Sequence, residues 1–265
     1  PTPILGFKYI IKNIAQYSVY FSFLFLFGCI DITGTDNASE TSLSNTYSDT
    51  KVQGQVVNST IEQGIVRSYQ IIHSEDGSKV AETPFGLPTR TDKNGSFSFY
   101  IPNDIDADSI LIEIHADDSS RMTCDLIEGC RVSGSDETVL FGDSFKLDEH
   151  FKISALLPAL NQDTINLANI NPLSHLASSL ALKKDAGPTL ENIDASLRFV
   201  EALFGLKLET LNLATPNLTK LDSIEALNET TLKAAVISAS FLALTNSSDW
   251  ESITEVLNHA SSRIS

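Results

Sequence analysis

The apolar residues of this chain change their period once. Between Lys51 and Ala116 they tend to recur at every second position, and from Asn171 onward at every third or fourth. A period of two belongs to a half-buried strand and one of 3.6 to an amphipathic helix, and a single element does not satisfy both. The strands therefore come first and the helices last. That order predicts an α+β chain of more than one domain rather than an alternating βαβ fold.

The strand half can be read segment by segment. KVQGQVV alternates Val52, Gly54 and Val56 with polar neighbours, and Ile65–His73 reads as a second strand. Asp92-Lys93-Asn94-Gly95 reads as a hairpin turn, because Asn-Gly accepts positive φ at little cost. After it, Phe97 and Phe99 are expected on one face and Ser96, Ser98 and Tyr100 on the other, with Pro102 ending the strand. In SILIEIHA the pattern places Ile110, Ile112 and Ile114 inward, and Glu113 and His115 outward.

The helical half starts at Asn171-Pro172, a helix-opening pair. Leu173, Leu176, Leu180 and Leu182 fall near one face, and Lys183-Lys184 suits the negative end of the helix dipole. Further helices are predicted over Pro188–Phe204, stopped by Gly205, then over Glu229–Leu244 and Asp249–Ile264, with Thr215-Pro216 as a break.

Ahead of both halves stands an apolar run, Tyr17–Phe27, preceded by Lys8 and Lys12. It has the make-up of a signal peptide and is short for a bilayer span, an uncleaved membrane anchor being the alternative. Residues 30–50 are rich in Ser, Thr, Asn and Asp and too polar to build a core, so they read as a tether. Pro1 stands where an initiator Met would, and the last residues stop in mid-pattern, so a chain cut short at either end is one reading.

Leu26-Phe27-Gly28-Cys29 resembles the lipobox of bacterial lipoproteins. The resemblance implies cleavage between Gly28 and Cys29, a diacylglyceryl thioether on Cys29, and acylation of the new amine. Several acyl chains together hold a protein on a membrane where one does not. Ile30, rather than Asp, after the cysteine implies sorting to the bacterial outer membrane. In an exported chain the two remaining cysteines, Cys124 and Cys130, read as a disulfide.

Val52, Gly54 and Val56, followed by Thr91, Asp92, Gly95, Phe97 and Phe99 and by Ile101-Pro102, resemble the carboxypeptidase regulatory-like, or transthyretin-like, β-sandwich. The match covers about residues 51–117 and implies an antiparallel sandwich. It departs from the family in an extra polar turn, HSEDGSK. TVLFG, FKISALLPAL and TINLANI read as further short strands, which either extend the sandwich or form an adjoining sheet. INPLSHLAS resembles a segment that follows such sandwiches in bacterial surface lipoproteins. The expected order is a signal peptide over 1–28, the lipidated cysteine and tether over 29–50, a β-sandwich domain over 51–170, and an all-α bundle over 171–265.

Formal net charge is −16, and the leader contributes only lysines, so the exported part is more acidic still. Nucleic acid needs a basic footprint and is excluded as a partner. His73, His115, His150, His175 and His259 form no zinc-ligand spacing, and no G-x-S-x-G elbow or phosphate loop is present, so no catalytic residue and no cofactor is expected. Asp104, Asp106 and Asp108 alternate like the opening of a calcium loop. Ser109 and His115 stand where that loop needs Gly and Glu, which favours a plain acidic loop. Tyr69, Phe85, Phe99 and Tyr100 suit either a ligand face or ordinary packing. The leading expectation is a non-enzymatic binding or scaffolding module, anchored in the membrane by lipid, with an envelope protein or glycan as partner. A carbohydrate- or peptide-binding lipoprotein serving transport or degradation, and an envelope hydrolase, are the alternatives.

Overall fold

The computed structural model describes residues 49–56, 59–73, 80–102, 105, 109–158, 160, 165–223, 228–247 and 249–264. The leader, Gly28, Cys29, most of the tether, the trio Asp104, Asp106 and Asp108, and the side chain of His73 lie outside the described residues.

Two principal sheets carry the strand half. The first has β1 (Thr50–Val56) at its centre, β5 (Ser96–Ile101) antiparallel on one side and β12 (Asn166–Ile170) parallel on the other. The second runs β11 (Lys152–Pro158), β6 (Ser109–His115), β3 (Ile65–His73), β4 (Val80–Arg90), all antiparallel. Two smaller ribbons join β10 (Ser144–Lys146), β7 (Arg121–Thr123) and β2 (Ile61–Glu62), and β8 (Cys130–Arg131) with β9 (Thr138–Val139).

The late segments divide between the two sheets. FKISALLP supplies β11 and TINLANI supplies β12, so one pairs in each. The β1–β12 pair is parallel, a departure from the all-antiparallel expectation. Parallel neighbours need a long crossover, and the whole chain between them supplies it.

The Asp92–Gly95 turn also differs from its reading as a hairpin. It passes the chain from β4 in one sheet to β5 in the other. Val56 N donates to Gly95 O at 2.9 Å, which hands β5 to β1 at once. Asp92 Oδ1 accepts from the amides of Asn94 and Ser96 at 2.7 and 2.9 Å, and Gly95 takes φ +74°. Thr91 is buried because its hydroxyl donates to Ile61 O at 2.6 Å and accepts from Gly64 N at 2.9 Å.

Helices α1 (Pro172–Leu182), α2 (Leu190–Leu203), α3 (Glu229–Leu244) and α4 (Ile253–Ile264) form the C-terminal region. Asn171 caps α1, accepting from Ser174 N while its own amide donates to Ser174 Oγ. α2 starts after the Thr189 cap, and Gly205, at φ +61°, ends it as expected. α4 begins later than the sequence pattern implies, because Ser252 Oγ accepts from Glu255 N at 3.2 Å and sets the boundary there.

One buried cluster runs through all of this. Val52, Phe97 and Ile170 of the first sheet and Ile112, Ile114 and Ile153 of the second share it with Leu173 and Leu176 of α1, Val200 of α2, Leu242 of α3 and Leu257 of α4. The described residues all belong to one compact unit. On the other face of the second sheet, Ile71, Leu111 and Leu156 pack against Ala181 of α1 and Ile193 of α2. Strand β6 is therefore covered on both faces, and Glu113 is buried rather than outward. Alternation predicted a wet face there, and helix packing dried it.

Candidate functional site

The INPLSH segment is a junction between α1 and β11. Ser174 Oγ, bonded to the Asn171 cap, donates to Ser154 O at 3.2 Å, and Asn171 Nδ2 reaches Thr215 Oγ1 at 3.4 Å. The next residue, His175, places Nδ1 3.0 Å from Ser154 Oγ, with both side chains buried. Burial, then the nearby Lys152 ammonium, pushes the His175 imidazole down to about 4, while Glu113 opposes the shift. The ring is neutral at neutral pH, and the pair serves as a buried fastener.

Ser154 is the cross-strand partner of Glu113. Glu113 Oε2 lies 2.9 Å from His115 Nε2, and Oε1 lies 3.1 Å from Lys152 Nζ. Burial raises the Glu113 carboxyl, but the hydrogen bond from His115 and the charge of Lys152 outweigh it and hold the group below the usual range. Tyr69 is raised by burial and by the Glu113 charge, with Arg67 opposing. Glu113, His115 and Lys152 thus satisfy one another. Sequence reading missed this trio because the three come from two strands whose register no local pattern reveals.

One concave feature among the described residues lies at one margin of the two sheets. Strands β11 and β12 are each the edge of their sheet, and they border a groove of about 340 Å³. Ala155–Pro158 and Asn166–Asn169 supply its margins. Leu190, Ile193, Asp194 and Leu197 of α2, with Leu211 and Asn212, supply its walls. Leu167 and Leu190 are each 64% exposed there, so apolar side chains face solvent at its mouth. Asp194 is the one charged residue in the lining, held at 3.0 Å by Arg198 in an exposed pair. Apolar walls with amide groups at the margins suit a ligand held by backbone hydrogen bonds and side-chain packing.

The other predicted residues sit apart from this groove. Cys124 and Cys130 form a disulfide with Cα atoms 5.6 Å apart, both fully buried. Asn246, at the end of α3, grips that loop: its Nδ2 donates to Gly129 O at 2.9 Å and its Oδ1 accepts from Arg131 N at 3.0 Å. His150 is exposed, and His259 packs edge-on to Trp250. Of the four aromatics, Tyr69 packs at the second cluster, Phe85 and Phe99 pack against the main core, and Tyr100 is exposed. They do not gather into one face. Among the described residues no group of three His, Cys, Asp or Glu side chains is placed to hold a metal ion, and no helix is long and apolar enough to cross a membrane.

No protein-family model matches this chain, and no curated protein matches it in sequence.

Proposed function

We propose that this is an exported protein, anchored through Cys29 to the outer membrane of a bacterium. Its β-half is a transthyretin-like sandwich, and it acts as a non-enzymatic binding module of the cell envelope. The observation that carries the binding reading is the groove between the β11 and β12 edges, whose lining is mostly leucine, alanine and asparagine. The buried Glu113 carboxylate bonds to the half-buried His115 and the exposed Lys152, where titratable groups do gather, and none of the three lines the groove. The helical region supplies the groove's outer wall, so the ligand site belongs to both halves of the chain. The Leu26–Cys29 segment supports the anchoring.

Expression of the full chain and its Cys29→Ser variant, followed by membrane fractionation, tests the anchoring. The native chain partitions with membranes and the variant moves to the soluble fraction. Retention of the variant in membranes overturns the lipid anchor.

A further inference from the structure

We propose that the groove takes an extended polypeptide as an added β-strand, and that the preferred peptide is apolar and basic in alternation. This rests on the binding-module reading and names its ligand class.

The first argument is the state of the sheet edges. An open edge strand offers a row of backbone donors and acceptors to any passing chain, and proteins ordinarily blunt such edges with proline, charge or a bulge. The opposite edge of the second sheet follows that practice. Strand β4 carries Pro84 and Pro88, and its pairing with β3 is irregular between Val66 and Ser68, opposite Gly86 at φ +68°. The edges at the groove are treated differently. β12 reads Asn-Leu-Ala-Asn-Ile, without proline or charge. β11 has its lysine at one end and its proline at the other, with Ala155, Leu156 and Leu157 along the groove between them. Strand β4 is protected in this way, and β11 and β12 are not.

The second argument is the match between groove and strand. Leu167–Asn169 offers about 10 Å of backbone at the strand rise of ~3.3 Å per residue, enough to pair with a short extended segment. An added strand presents alternate side chains to opposite sides. One set would meet Leu190 and Leu197 on α2, which accounts for an exposed leucine at the first position of that helix.

The third argument is charge. No lysine or arginine lines the groove, Asp194 does, and the whole chain is strongly acidic. The Asp194–Arg198 pair is exposed on both sides and contributes little, so Asp194 remains open to a cation on the ligand. Main-chain hydrogen bonds would give affinity, and the leucines and Asp194 would give selection.

The test titrates the full chain into a fluorescein-labelled peptide of alternating valine and lysine and follows anisotropy. The companion probe is the same peptide with every second backbone nitrogen methylated, which keeps the side chains and removes strand donors. The expected result is saturable binding of the first and at least about tenfold weaker binding of the second. A Leu190→Lys chain, altered at an exposed position, is expected to lose about tenfold for the unmethylated peptide while its thermal unfolding stays unchanged. Equal binding of both peptides overturns strand addition and leaves a binding module that recognises side chains. Full binding by the Leu190→Lys chain overturns the groove as the site. No binding of either peptide up to about 1 mM overturns the ligand class, whereas loss of the anchoring reading is seen separately in the Cys29→Ser fractionation.

Discussion

Ser154 on β11 and His175 on α1 share a 3.0 Å hydrogen bond at a site closed to solvent. Replacing His175 with Ala leaves the Ser154 hydroxyl without that partner and opens a cavity. The expected cost is about 2–4 kcal/mol, read as a lower urea midpoint with unchanged slope. Ser154→Ala removes less volume and is expected to cost about 1–2 kcal/mol. The double variant costs less than the sum, since both changes remove the same bond.

The same histidine makes stability depend on pH. Its folded pKa of about 4 lies below the unfolded value near 6.5, so between these the unfolded chain holds the extra proton. Stability from this group is present above about pH 6.5 and is lost as pH falls toward 4, by on the order of 3 kcal/mol. Glu113, also depressed, acts in the same direction at lower pH, while Asp125, raised by burial, acts in the opposite direction. Chemical denaturation across pH 4–7 is expected to show a rising midpoint, and His175→Gln is expected to flatten it. An unchanged slope in that variant rules out His175 as the source.

Gly54 faces Phe97 on one neighbouring strand and Ala168 on the other. A methyl group at this position would run into the Phe97 ring and the Ala168 carbonyl oxygen. Gly54→Ala is therefore expected to destabilise by about 2 kcal/mol or more, although alanine suits a strand no worse than glycine. Thermal unfolding measures it, and a shift within error would show that the first sheet is looser than described.

Asn246 holds the disulfide loop by the backbone, using both ends of its amide. Asn246→Ala is expected to cost about 1–2 kcal/mol and to speed hydrogen exchange at the Arg131 amide without breaking the Cys124–Cys130 bond. Exchange at the native rate would mean that the Cys124–Cys130 bond and the β8–β9 pairing alone order the loop.

The parts of the fold legible in sequence were those decided locally. The change of period separated strands from helices, Asn171-Pro172 opened α1, and Gly205 closed α2, each through a signal within a few residues. What escaped depended on partners distant in the chain. Glu113 looked solvated because its strand alternates, and only the helix laid across that face buries it. The groove escaped for a related reason. Its margins come from two strands whose status as edges follows from the order of strands in each sheet, and no short motif encodes that order. The aromatics are scattered, while the groove is made of leucines, alanines and asparagines.

Strand β1 sits in the middle of its sheet, yet its parallel neighbour β12 is made only after the whole β-rich stretch between them. The first of the described strands to leave the ribosome must therefore wait with one side unsatisfied until residues 166–170 arrive. Contacts of such long sequence separation close slowly. A chain built this way completes its first described sheet only after residues 166–170 have been made, so that sheet closes last although its central strand is made first.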